Sequence, residues 1–212
     1  MILTLYYARG ACSLACHIAL EETGAPYEAR PVLIAEGENK TPAYLAIHPG
    51  GLVPVLDIDG ARLTETAAIL IHIAQRFPQA CLLPAAGSLA EARALELVAW
   101  LTNTLHIAYA GLWRPDRFTQ DEAAGKAIVA EAKERIGALN GTIEERLKHS
   151  AFAGGDTYTI ADPFLLVFFR WANRIGLDAT ATHPAWTAWA RRMGARPAVA
   201  RTLAKEGIPL FA

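Results

Sequence analysis

The sequence predicts an α/β domain followed by an all-helical domain. Three observations carry this expectation. Strand-like runs alternate with helically spaced apolar residues over the first 77 positions, a break with Pro78 and Pro84 follows, and strand patterns are absent beyond it. The 212 residues suit one large domain or two small ones. The expected division is 1–80, a linker at 81–87, and 88–212.

Residues 2–7 are a short apolar and aromatic run that reads as a strand, stopped by Arg9-Gly10. From Cys12 to Thr23, Leu14, His17 and Ile18 fall at helical spacing, and Gly24 stands where a left-handed residue ends a helix. After Pro26, residues 27–33 return to strand composition. Thr41-Pro42 reads as an N-cap and first-turn proline for a short helix to Ala46. Strands over 53–58 and 61–63 flank Asp59-Gly60, the usual pair for a type I′ turn. Thr64 is placed to cap a helix over 65–77. The order β-α-β-α-β-β-α makes the first two strands parallel and the last two antiparallel, giving a mixed four-stranded sheet with helices packed on it.

Beyond the break, helix starts read as capping boxes, in which Ser or Thr and a carboxylate three residues on satisfy orphan amides. Ser88 with Glu91 opens a helix to about residue 110, Thr119 with Glu122 one to about 148, and Thr159 with Asp162 one through Arg174. His183-Pro184 and Arg196-Pro197 precede two shorter helices.

Charge and composition exclude several classes. The hydrophobic fraction of 53% supplies a core and excludes a disordered chain. A net charge of -1 gives no footprint for nucleic acid or an anionic membrane. Pro163 to Phe169 is the greasiest run and is too short to span a bilayer. The N-terminus lacks the basic region of a signal peptide. Three cysteines are too few for a disulfide framework, so a reducing, cytoplasmic setting is expected. The six histidines, at 17, 48, 72, 106, 149 and 183, show no metal-ligand spacing, and no metal is expected.

Three sites remain for chemistry. Cys12 follows a strand and a Gly-containing loop at a helix start, where free amides and the dipole favour a thiolate. Ser13 adds a hydroxyl that serves either as a donor there or as an N-cap. Cys16, one turn on, is not at the spacing of a C-x-x-C redox pair and reads as core. Val53-Pro54 puts proline in a strand, at an edge or as a cis bond that turns the Val53 amide and carbonyl outward for an extended ligand. Thr64-Glu65-Thr66 opens a helix: its amides and the Thr66 hydroxyl suit a carboxylate, and Glu65 suits an ammonium.

In this order and spacing the three sites resemble the glutathione transferases over nearly the whole chain. Residues 1–77 look like their thioredoxin-like glutathione-binding domain, and 88–208 like their all-helical domain. Gly10-Ala11-Cys12-Ser13-Leu14 is similar to the bacterial beta class, in which a cysteine faces the glutathione sulfur. Leu52-Val53-Pro54-Val55-Leu56 matches the cis-proline segment, Leu63-Thr64-Glu65-Thr66 the γ-glutamyl-binding helix start, and Thr159-Ile160-Ala161-Asp162 the family's folding cap. His106 fits the beta-class histidine that reaches the glutathione site. Two departures stand out. The lysine often found before the Val-Pro is absent from His48-Pro49-Gly50-Gly51, leaving Lys40 or His106 for the glycine carboxylate. Ala99 stands where a polar residue reaches the partner subunit's glutathione, with Asn103 as the substitute one turn on.

The resemblance implies a cytoplasmic homodimer that uses glutathione as co-substrate and no metal, with no nucleic-acid or membrane partner. Cys12, Ser13 and His106 are then the catalytic candidates. Lys40, Leu52, Val53, Pro54, Glu65, Thr66 and Asn103 are those for glutathione. Tyr109, Trp113, Phe118, Phe168 and Phe211 are those for a small hydrophobic electrophile. Two alternatives keep the fold: a thiol-disulfide oxidoreductase or deglutathionylase acting through Cys12, or a binding module without activity. Residues 1–80 carry 5 Lys/Arg and 8 Asp/Glu, and residues 81–212 carry 15 and 13. That contrast favours pairing unlike domains about a two-fold axis. A face with Leu89, Ala92, Leu95, Ala99, Thr102 and Asn103 is the candidate contact.

Overall fold

The computed structural model describes residues 2–211, so the first residue of the 1–80 range and the last of the 88–212 range lie outside it. Four strands form one mixed sheet in the order β2-β1-β3-β4. β1 (Leu3–Tyr7) runs parallel to β2 (Glu28–Pro31), with Thr4 opposite Glu28. It runs antiparallel to β3 (Val55–Ile58), with Leu5 opposite Leu56. β3 turns through Asp59-Gly60, at φ 51° and 90°, into β4 (Ala61–Thr64). Both turn residues have the positive φ of a type I′ turn, which matches the right-handed twist of the strands it joins.

α1 (Ser13–Thr23) packs between this sheet and the helical half of the chain, and Ser13 through Glu21 are all buried. Its apolar residues therefore cover the whole helix rather than one stripe, as expected for a helix enclosed on every side. Gly24 closes it in the left-handed region at φ 67°. α2 (Pro42–Leu45) is capped by Thr41, and α3 (Thr66–Arg76) packs beside α1. Thr64 does not cap α3; Glu65 precedes it at φ 69° with no side-chain cap.

Leu82, in the connecting segment, is buried, and its carbonyl accepts from Ile160 N–H. Ser88 caps α4 (Leu89–Trp100), while Glu91 reaches the amide of Gly87 rather than that of Ser88. The helix expected to run to residue 110 instead passes through a π-helical turn, Leu101–Leu105, into α5 (His106–Trp113). α6 (Glu122–Leu147) is capped by Asp121, not by the expected Thr119. A carboxylate at a helix N-terminus is the stronger acceptor, and the Thr119 hydroxyl accepts from Asp121 N–H instead.

α7 (Ala161–Arg174) lies buried at the centre of this half. Asp162 accepts from Thr159 and Ala153 amides at 2.8 and 2.7 Å, tying the loop before the helix to its first turn. Burial raises its carboxyl to about 6 against these donors. α8 (Ala179–Thr182), α9 (Pro184–Gly194) and α10 (Pro197–Glu206) follow, the last two with proline in the first turn. α10 packs on α1, where Glu21 bonds Arg201, Lys205 and Tyr27, and Glu22 bonds Arg196.

Candidate active site

Cys12 sits at the N-cap of α1, half-buried, where the end of β1, the start of α1, the Val53-Pro54 segment and the start of α3 converge. Its Sγ–H donates to the Val53 carbonyl at 3.6 Å. The thiol is not depressed as its helix-start position suggests. Burial pushes it above the ordinary value of 9.0, outweighing the Thr66 hydroxyl and the amides of Ser13 and Cys12, while Glu65 pushes the same way. At neutral pH this group is a hydrogen-bond donor, not a thiolate.

Ser13 corrects a second expectation. Its hydroxyl donates to the Ala8 carbonyl and accepts from the Ala8 amide, at 3.2 and 3.1 Å, and the residue is fully buried. It closes the loop from Ala8 to Ser13 and presents no hydroxyl to a ligand.

The Val53–Pro54 bond is cis. Val53 N–H has no partner among the described residues, whereas the neighbouring Leu52 carbonyl is held by the Tyr44 hydroxyl at 2.7 Å. Asn39 donates to the Gly51 carbonyl at 2.8 Å, and a Cβ on Gly51 would stand 2.5 Å from the Asn39 carbonyl oxygen, so only glycine fits there. Lys40 is exposed, and its Nζ lies 3.3 Å from the same point. This segment is thus rigidly backed and has one cation beside it. Glu65 is exposed, in a backbone region rare for non-glycine residues, and its carboxylate has no hydrogen-bond partner among the described residues.

His106 lies in an aromatic cage. Its ring centroid is 5.3 Å from that of Trp171, 5.9 Å from Phe168 and 6.4 Å from Phe164. Burial, aided by Arg117, lowers it to about 4, so the imidazole is neutral at pH 7 and cannot pair with a carboxylate as a cation. Tyr109 and Phe168 belong to the same packed cluster, fully buried, with the Tyr109 hydroxyl donating to the Phe168 carbonyl at 3.4 Å. They present no open face and are not pocket-lining residues. Trp113 covers the cluster from outside, 42% exposed, meeting Trp171 edge to face with ring centroids 4.7 Å apart. Phe118 is exposed, and Phe211 packs on Phe169, on a different side of α7. Asn103 is exposed on the π-helical turn.

Sequence reasoning missed Trp171 and Glu206. The Trp171 indole donates to the Gly10 carbonyl and Glu206 accepts from the Gly10 amide, each at 2.8 Å, from the far half of the chain. Among the described residues no group of His, Cys, Asp or Glu is arranged to hold a metal, and no helix is long and apolar enough to cross a membrane.

Residues 1–75 match the family model for the glutathione S-transferase N-terminal domain, and 102–197 that for the C-terminal domain. A glutathione S-transferase of Escherichia coli O157:H7 is 32% identical over 96% of this chain and 98% of its own length. A glutathione transferase homologue from Sulfitobacter, solved with bound glutathione, is 33% identical, with a TM-score of 0.91 over 98% of this chain and 99% of that one. The bacterial beta class enzyme of Sphingomonas chungbukensis is also 33% identical, with a TM-score of 0.84 over 97% and 100%.

Proposed function

The chain belongs to the glutathione transferase family and is a transferase, and from that premise we propose that it is of the cysteine type and how its residues divide the work. Glutathione lies extended along Leu52, Val53 and Pro54, pairing with the free Val53 N–H in the manner of an added strand. Its γ-glutamyl end meets the start of α3, where Glu65 takes the ammonium and the Thr66 region the carboxylate. Lys40 takes the glycine carboxylate. Of the two candidates left open by the missing lysine, Lys40 is exposed beside Gly51, whereas His106 is enclosed by aromatic rings and neutral at pH 7.

The observation that carries the catalytic reading is the Cys12 S–H at the start of α1, donating to the Val53 carbonyl from a place where burial favours the protonated thiol. With glutathione bound, the Cys12 S–H exchanges its bond to the Val53 carbonyl for one to the glutathione sulfur, as that sulfur gives up its own proton to solvent. It stabilises the thiolate without competing as a nucleophile. The thiolate then forms a C–S bond at an electrophilic carbon, and the leaving group departs with the bonding pair, or a conjugated double bond takes it up. Holding both reactants in one cleft supplies the proximity contribution. The redox alternative needs Cys12 itself as thiolate, and its burial works against that.

The electrophile is small and hydrophobic, bound against Trp113 and Phe118, two exposed aromatics of the second half. The domains divide at 81–87. Two copies pair through the outer side of α4 and the π-helical turn after it, where Leu89 is 74% exposed and Ala92, Ala99 and Asn103 are also exposed, while Ala94, Leu97 and Val98 face the chain's own core. Asn103 then reaches the partner's glutathione. Three free cysteines fit a reducing cytoplasm. Conjugation of a model aryl halide by purified protein, with and without glutathione, tests the activity. A glutathione-dependent rate supports it, and no rate above background between pH 6 and 9 overturns it.

A further inference from the structure

Two exposed aromatic rings flank a short turn at the rim of the site. Trp113 ends α5, Phe118 follows the turn Pro115–Arg117, and both stand open. Trp113 lies seven residues after His106, on the same helix face. Its ring meets that of Trp171, and the Trp171 indole donates to the carbonyl of Gly10, two residues before Cys12. This wall therefore reaches the loop that carries the thiol.

Arg117 stands between the two rings in the chain. It is exposed, and its guanidinium makes no hydrogen bond or ion pair among the described residues. Its charge adds to the burial that holds His106 low, so it lies within reach of that imidazole. The other charged side chains from Trp113 to Lys126 are already matched. Arg114 holds Asp116 through two hydrogen bonds of 3.0 Å, Asp121 caps the Ala124 amide at 2.7 Å, and Glu122 pairs with Lys126 at 2.7 Å. A guanidinium is a planar fork of donors that fits a carboxylate with two parallel bonds, and its flat face packs on aromatic rings. Here the fork is unused and the rings on either side of it are open.

We propose that the electrophile carries a carboxylate on an apolar ring or conjugated chain, and that Arg117 takes the carboxylate while Trp113 and Phe118 take the apolar body. The proposal rests on the reading that the electrophile binds against those two aromatics, and deepens it. Arg117 sets which electrophiles are favoured and makes no bond to the reacting atoms. With an aryl chloride, the glutathione thiol gives its proton to solvent and its sulfur forms the C–S bond. The C–Cl bond breaks, and chloride leaves with the bonding pair.

Two matched pairs of probes separate the charge from the ring. The first is a chlorodinitrobenzoate, with chlorine opposite the carboxylate and a nitro group on each side of the chlorine, and its methyl ester. Parent, R117A, R117K and R114A conjugate both at pH 7.5, where burial keeps His106 neutral with or without Arg117. Comparing the acid-to-ester ratio of kcat/KM across proteins cancels the intrinsic reactivities of the two chlorides. R117A lowers the ratio about fivefold or more, while its ester value stays within about twofold of the parent's. R117K, which keeps the charge and loses the fork, falls between the two. R114A keeps the ratio within about twofold, because Arg114 is already bonded to Asp116. The second pair is the dinitrobenzoate without chlorine and its methyl ester, which bind without reacting and are followed by calorimetry. R117A weakens the acid about fivefold and leaves the ester unchanged. The proposal is overturned if R117A keeps the parent's ratio in both pairs, if R114A lowers it as far as R117A does, or if the parent shows no binding of the acid at millimolar concentration. A parent protein with no conjugation defeats the transferase reading alone, since the binding pair still judges Arg117. An F118A protein that binds the ester as tightly as the parent removes Phe118 from the pocket, and with it that part of the proposal, while the acid-to-ester ratio still judges the charge.

Discussion

The Cys12 thiol donates to the Val53 carbonyl oxygen at 3.6 Å, across 41 residues of sequence. The contact joins the loop before α1 to the cis-proline segment, and burial favours the protonated form of the sulfur that makes it. Alkylation of Cys12 is therefore expected to be slow at pH 7 and to go on rising through pH 9, because burial holds the thiol above its ordinary value of 9.0. A rate profile for the Cys12 peptide that levels off near pH 7 would contradict this.

Glu65 combines an unused carboxylate with a strained backbone, so binding and stability should part company there. E65G relieves the positive φ and should stabilise the protein by about 0.5–1 kcal/mol in urea titration. The same change should weaken glutathione binding about tenfold in calorimetry by removing the ammonium's partner. Equal glutathione affinity in the two proteins would remove Glu65 from the site.

The α1–α10 contact should weaken in acid. Burial alone would raise the Glu21 carboxyl, but hydrogen bonds from Arg201, Lys205 and Tyr27 outweigh it and lower the group from 4.5 to about 2. Its folded value lies below its unfolded one, so its contribution is complete above pH 4.5 and is lost as pH falls toward 2. The partners are half exposed, so a contribution of about 1 kcal/mol is expected after solvent screening. In urea titrations the stability gap between the parent and E21Q should more than halve from pH 6 to pH 3. A constant gap would show that Glu21 adds no pH-dependent stability.

Self-association through the outer side of α4 predicts a light-scattering mass near twice 22.9 kDa at micromolar concentration. L89E, placing a charge at the most exposed apolar side chain of that helix, should shift the mass toward the monomer. A parent protein that runs at 22.9 kDa throughout a dilution series would refute the pairing and any role for Asn103 across it.

Local signals in the sequence served well where the structure is local. Gly24 at a helix end and Asp59-Gly60 between two strands each require positive φ, and a residue type announces that need. The convergence of Cys12, Val53 and Thr66 was legible because each lies at an element boundary with its own signature. Ser13 was misread because a hydroxyl beside a reactive cysteine looks the same in sequence whether it faces a ligand or closes the loop behind it. Tyr109 and Phe168 were misread because helical spacing identifies a face without revealing whether the opposite side is filled. The π-helical turn at Leu101–Leu105 carries only the β-branched or polar run Thr102-Asn103-Thr104 as a hint. Glu206 and Gly10 are 196 positions apart, and no spacing rule links a terminal glutamate to a loop glycine. The buried His17 on a helix enclosed on all sides was the one clue, since such a side chain needs a partner.

The central claim is that Cys12 acts as a hydrogen-bond donor to the glutathione sulfur and not as a nucleophile. Steady-state conjugation of a model aryl halide by the parent, C12S and C12A tests it most directly. C12S keeps a donor of similar reach and should retain kcat/KM within about threefold, whereas C12A should lose about tenfold or more. C12A conjugating at the parent rate, or C12S as impaired as C12A, would contradict the claim.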